Sequence, residues 1–239
     1  VPEPAPLFRC FTLAATPRPQ TVVYEALHND YAEEFTPPTT LSEQRCGELA
    51  VKHLLHGNRG HWGPLEHAFL TLKIQADHNT IMQLRTHRIS SHDVQSMRYT
   101  GDRITKVANG ELPVEDVFVV RPAGTYKDRQ GQDYEMTEPG IQRFLEICFA
   151  SCLDYADLRS EGMPEEMARG ALVTSYRQND VISMSLRGWL HVLEVRVKPD
   201  AQWEFRQLAD LVLKELRAWA PDIMDWWEKH RANRSLLAP

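Results

Sequence analysis

Fifteen consecutive residues, Arg85 to Tyr99, carry three arginines, two histidines and three serines. Fixed donors at that density suit the holding of a polyanion such as a phosphate or a dinucleotide. A guanidinium offers a planar fork of N–H groups that meets phosphate oxygens two at a time. Serine hydroxyls and loop amides complete such a cradle at little steric cost. The same composition also suits a plain solvated loop, so the order of residues matters. His87-Arg88 is followed by seven residues and then by Ser96-Met97-Arg98-Tyr99. Two further blocks are rich in chemistry. One is His61-Trp62-Gly63-Pro64-Leu65-Glu66-His67. The other runs from Leu186-Arg187-Gly188-Trp189-Leu190-His191 through Arg196 to Gln202-Trp203-Glu204, with Ala168-Arg169 ahead of it.

The elements that must position these blocks follow from periodicity and capping residues. Residues 1–20 hold five prolines and predict a lead-in to an edge strand. Thr40-Leu41-Ser42-Glu43 predicts a capping box with Thr40 at the cap, opening a helix that Gly57 ends. Phe69 to Ile74 alternates as a half-buried strand does. Asn79 is the expected cap of a short helix through Ile81, Met82 and Leu84, so the His87-Arg88 signature starts near a helix end and enters a loop. Residues 109–140 predict a loop-rich insert around one short strand, Val117 to Val120. Ile141 to Leu158 has helical amphipathicity, with Cys148 and Cys152 on one face as buried small side chains rather than a metal pair. A helix start is expected at Met163-Pro164-Glu165-Glu166. Val181 to Leu186 predicts a strand, and Trp203 to Trp219 and Pro221 to His230 predict helices. Strands and helices mix without βαβ alternation. The expected fold is α+β, one domain over residues 1–239, with no Rossmann unit and no phosphate-binding loop of the G-x-x-x-x-G-K type.

Composition narrows the function classes. Apolar residues make up 42% of the 239 and charged residues 25%, ordinary globular values. The net charge of −6 argues against non-specific nucleic-acid binding, which needs a basic field. No apolar run approaches the roughly 20 residues of a membrane span, and the first residues lack a signal peptide's pattern. A cytoplasmic location is the expectation. Cys10, Cys46, Cys148 and Cys152 form no C-x-x-C pair.

On its three blocks, from about His61 to about Gln207, the chain resembles the flavin-dependent thymidylate synthases. The family signature, Arg-His-Arg, seven residues, Ser, stands here as Thr86-His87-Arg88, Ile89 to Gln95, Ser96. Thr86 replaces the first arginine, and Arg85 stands one place earlier. His61 to His67 resembles the family's Gly-His-x-x-Pro-x-Glu-His block. Arg196, six residues before Gln202-Trp203-Glu204, resembles its closing block.

The resemblance implies reductive methylation of dUMP to dTMP, with FAD as cofactor and NADPH and methylene-tetrahydrofolate as co-substrates. It implies a homotetramer with shared active sites and no metal. For dUMP it points to Gln83, Arg85, Ser96, Arg98, Arg169 and Arg196. Arg196 would be catalytic, because a cation beside the pyrimidine imide favours the ionised ring and enriches C5. No cysteine context here resembles the Pro-Cys-His nucleophile of the classical enzyme. For FAD it points to His61, Gly63, Thr86, His87, Arg88, Val94, Ser185, Arg187 and His191. Thr86, Val94, Ser185 and His191 depart from the family's usual residues. Two other readings remain open at this level. One is an inactive nucleotide or flavin sensor on the same fold. The other is a metallohydrolase using His53, His56, His61 and His67, although their spacing is not H-E-x-x-H.

Overall fold

The computed structural model of the chain describes residues 6–58, 60–128 and 130–232. The proline-rich lead-in, of which Val1–Ala5 lie outside the described residues, reaches β1 (Arg9–Ala15). A helix not signalled by the sequence reading, α1 (Pro19–Asn29), follows, with its proline in the first turn, where no N–H bond is lost. Then comes α2 (Glu43–Ala50). Its cap is Ser42, not Thr40: Ser42 Oγ accepts from the Arg45 amide at 3.2 Å. Glu43 is occupied elsewhere. Its carboxylate accepts from the amides of Gln20 at 2.7 Å and Thr21 at 3.0 Å, satisfying the first turn of α1.

One π-helical turn, Val51–Leu55, extends α2, and the chain then leaves through Gly57 at φ 73°, the left-handed conformation glycine adopts freely. A 3₁₀ turn, Gly63–His67, leads into β2 (Phe69–Asp77), whose Leu70, Leu72 and Ile74 are buried. The next helix, α3 (His78–Leu84), is capped by Asp77 rather than Asn79. Asp77 Oδ1 accepts from the Thr80 amide at 3.1 Å, while Asn79 donates to Thr174 Oγ1. β3 (Ser91–Val94) occupies part of the stretch expected to be loop.

The expected strand at Val117 to Val120 is replaced by two short helices and a hairpin. α4 (Asp102–Ala108) precedes α5 (Val114–Val117), where Pro113 and the acids Glu115 and Asp116 favour a helix start. Phe118 keeps only an isolated antiparallel bridge to Tyr176. β4 (Gly124–Lys127) and β5 (Asp133–Met136) pair antiparallel. The remaining elements are α6 (Glu138–Ser160), α7 (Glu165–Ala168), β6 (Arg177–Ser185), α8 (Leu186–Arg196), α9 (Trp203–Trp219) and α10 (Pro221–His230). The main sheet has the order β1-β2-β6-β3, which puts β1 on an edge as the proline content required. The fold is α+β, and among the described residues no helix is long and apolar enough to cross a membrane.

The chain divides into two compact units, and β2 and β6 each pass from one into the other. The first comprises residues 1–9, 75–83 and 93–180. Its core holds Ile104, Phe118, Cys148, Cys152 and Tyr155, so the two cysteines do share a buried face. The second comprises residues 10–74, 84–92 and 181–239. Its buried side chains include Leu70, Leu72, Met184, Trp189, Phe205 and Trp227.

Candidate active site

In the second unit, α8 carries much of the chemistry, and its start is fixed three ways. Ser185 Oγ caps it by accepting from the Gly188 amide at 3.2 Å. The Leu186 amide donates to the Ala68 carbonyl at 2.8 Å, and Trp189 Nε1 donates to the Leu70 carbonyl at 3.3 Å. The first turn of α8 therefore sits beside β2 and opens on a cavity of about 190 Å³. Thr86, His87, Arg88, Ser185, Arg187 and His191 line it, together with Glu66, Ile89, Met184 and Gly188. A Cβ on Gly188 would stand 2.4 Å from Met184 Cγ, so a larger residue there would force the buried Met184 side chain to move.

His87 is the most constrained group here. Its ring is buried and packs edge-on against His191, with centroids 5.3 Å apart. Arg196 Nε donates to His87 Nε2 at 3.3 Å, so Nε2 is an acceptor and the neutral ring carries its proton on Nδ1. Burial, then the Arg196 charge and the neighbouring His191 and His92, push the His87 pKa down to about 4. Arg196 itself lies 4.7 Å over the Phe205 ring. Burial lowers its pKa, but guanidinium starts so high that it stays charged. Arg187 Nη1 meets Glu66 Oε1 at 2.5 Å. Glu66 also lines a second cavity of about 550 Å³ with His61 and Gly63, where His61 Nε2 pairs with Asp30 Oδ2 at 2.8 Å. Arg85 belongs to this unit and is exposed.

The first unit holds Gln83, Val94, Ser96, Arg98 and Arg169. The Gln95 amide donates to the Asn179 carbonyl and Gln178 Nε2 to the Gln95 carbonyl, each at 2.8 Å, which pins the chain just before Ser96. Ser96 Oγ accepts from the Arg98 amide at 3.3 Å, and its carbonyl accepts from Thr100 Oγ1 at 3.1 Å. Arg98 reaches Glu166 at 3.6 Å rather than Asp93, and both side chains are more than half exposed. Such a pair is worth about 0–1 kcal/mol, so an incoming anion can displace Glu166 at little cost. Arg169, in the 3₁₀ turn after α7, is one of two guanidiniums, with Arg103, that act on the buried Tyr176 phenol and oppose the rise burial gives its pKa.

The structure thus gathers Thr86, His87, Arg88, Ser185, Arg187 and His191 around one cavity, with Arg196 on His87, and sets His61 and Gly63 around the next. Glu66 and Gly188 are additions. Both lie inside motif blocks, but neither residue type announces a contact to an anion. Among the described residues no cluster of three or more His, Cys, Asp or Glu could hold a metal.

The comparisons agree with this architecture. The family model described as thymidylate synthase complementing protein matches residues 12–222. The flavin-dependent thymidylate synthase of Halobacterium salinarum is 33% identical over 247 residues, covering 95% of this chain and 98% of that protein. The enzyme of that name from Pyrococcus abyssi is 31% identical over 84% of this chain and 75% of its own length. Among solved structures, thymidylate synthase X from Helicobacter pylori with FAD and dUMP superposes with a TM-score of 0.68, at 16% identity, covering 93% of this chain and all of that one. A UMP/dUMP methylase, PolB from Streptomyces cacaoi bound with 5-Br dUMP, does so with 0.74, at 19% identity, over 97% of both. These two show the shared fold. The family match and the relatives show that the chain belongs to the thymidylate synthase complementing protein family, that of the flavin-dependent thymidylate synthases.

Proposed function

We propose that the chain is a flavin-dependent thymidylate synthase that methylates dUMP to dTMP. One observation carries the reading. Two blocks a hundred residues apart, Thr86-His87-Arg88 and Ser185 to His191, meet around one cavity although the resemblance had matched them to the same cofactor on sequence alone.

The donor set fits FAD. Arg88 and Arg187 supply guanidiniums, Thr86 and Ser185 hydroxyls, and the N-terminus of the eleven-residue α8 adds its positive dipole end, together a site for a pyrophosphate. Met184 and Ile89 give the same cavity an apolar side for a ring. A bound flavin supplies hydride transfer, taken up from NADPH. His87, held neutral, offers a ring without adding a second full charge beside Arg196. The cavity is smaller than the roughly 300–1,000 Å³ of typical ligand sites. That supports the further proposal of a homotetramer, working in the cytoplasm, in which another copy completes each site.

For the substrate, Ser96, Arg98 and Arg169 are the proposed phosphate ligands, with Gln83 and Arg85 toward the base. Arg196 is the proposed activator. Partly desolvated over Phe205, its charge is less screened by water, and against the uracil imide it favours the anion and so raises electron density at C5. Methylene-tetrahydrofolate donates the carbon. The test is dTMP formation from dUMP, methylene-tetrahydrofolate and NADPH with FAD added. Turnover that disappears without FAD supports the reading. Binding of FAD and dUMP with no turnover would assign the chain to a sensor instead.

A further inference from the structure

The carboxylate of Glu194 is almost fully buried on α8, two residues before Arg196 and three after His191. Its partner is Arg231, just past α10, also buried. The pair is bidentate: Arg231 Nη2 donates to Glu194 Oε2 at 3.0 Å, and Nε donates to Oε1. The same guanidinium lies over the Trp62 ring, 5.0 Å from its centroid, and Trp62 in turn contacts the Trp226 ring at 6.4 Å. Trp62 stands between His61 and Gly63, both lining the larger cavity, and directly precedes the 3₁₀ turn that carries Glu66. Arg231 lies beyond residue 222, where the family match ends.

We propose that Arg231, through Glu194 and Trp62, is a positioning residue that locks the site helix α8 to the His61–His67 segment. The proposal rests on the flavin and nucleotide reading above. The geometry explains the need. Arg187 and Glu194 are seven residues apart on α8, close to two turns, or about 10 Å. At the first end, the Leu186 amide holds α8 to the Ala68 carbonyl just after the turn, while the side chains of Arg187 and Glu66 add only an exposed pair, and exposed pairs hold weakly. At the far end, the Glu194–Arg231 pair is buried, with a half-buried Trp62 ring stacked on its guanidinium. Buried charge pairs are poor sources of net stability, since apolar replacements often fold as well or better. Their attested use is to fix one register among alternatives, and here that register sets His191 and Arg196 relative to His61 and Gly63. Arginine fits the task because its fork grips the carboxylate while its face stacks on indole.

The decisive experiment compares the double variant Glu194→Leu/Arg231→Met with wild type, alongside Arg231→Lys and Trp62→Leu. Thermal midpoint, FAD dissociation constant by quenching of flavin fluorescence, and kcat with KM for dUMP are measured for each. The double variant is expected to melt within a few degrees of wild type yet to bind FAD at least tenfold more weakly, with activity partly restored at saturating FAD. Arg231→Lys should recover part of that affinity, and Trp62→Leu should lose several-fold with the ion pair intact. If the double variant does not fold, Arg231→Lys and Trp62→Leu alone decide. Wild-type FAD affinity and KM in the variants that fold would overturn the inference. A wild type that itself binds no FAD would instead overturn the functional reading.

Discussion

A neutral His87 makes stability depend on acid in a particular window. Its pKa falls from an ordinary 6.5 to about 4, first through burial and then through the Arg196, His191 and His92 charges. Above pH 6.5 the ring is neutral in both folded and unfolded chains, and its contribution is complete. As pH falls through 6.5 the unfolded chain takes a proton that the folded one refuses, so stability declines until the folded ring protonates near 4. The full shift would correspond to about 3 kcal/mol, and residual solvent around the ring reduces this to about 2 kcal/mol. The perturbation is His87→Gln, which removes the titrating group. Urea unfolding of both proteins between pH 7.5 and pH 4 should show the wild type losing about 2 kcal/mol more than the variant across that window. In Arg196→Leu the His87 pKa, followed by NMR of the ring protons, should rise only part of the way, because burial is the larger cause. Parallel stability curves for wild type and His87→Gln, or a His87 titration near 6.5, would refute the reasoning.

Three other outcomes follow from the geometry. A Cβ on Gly101 would lie 2.0 Å from Tyr155 Oη and 3.1 Å from Cζ, so Gly101→Ala should cost about 1–3 kcal/mol in urea unfolding, and Tyr155→Phe in the same chain should restore most of it. Additive losses would contradict that close approach. Arg187→Ala breaks an exposed pair, so stability should change by less than about 1 kcal/mol. FAD affinity, read by flavin fluorescence, should fall tenfold or more, since a charged hydrogen bond is worth about 1.5–3 kcal/mol. Ser96→Ala should raise the KM for dUMP at least several-fold with little change in kcat, and an unchanged KM would remove Ser96 from the phosphate site.

How legible this was in the sequence depended on whether a residue acts through its neighbours in the chain or through distant partners. The helices Trp203–Trp219 and Pro221–His230 coincide with their expected bounds because long amphipathic patterns and a first-turn proline are local signals. Both caps lie two residues from their expected positions. Thr40, Ser42, Asp77 and Asn79 are all capable caps, and tertiary partners decided between them: Glu43 had already turned toward α1. The strand expected at Val117 gave way to a helical turn because Pro113 and two acids outweighed a run of valines. In the site, Thr86, His87, Arg88, Arg187 and His191 were legible as blocks, and their meeting around one cavity needed the fold. Glu194, Trp62 and Arg231 were not legible. A glutamate in an apolar helix and an arginine after the last helix signal nothing until they are seen buried against each other.

The measurement that bears most directly on the account is the visible absorption spectrum of protein reconstituted with FAD, followed during addition of NADPH. The expected result is a yellow protein, with flavin that stays bound through gel filtration and bleaches on reduction. A colourless protein after reconstitution, with no FAD retained by Thr86-His87-Arg88 and the first turn of α8, would contradict it.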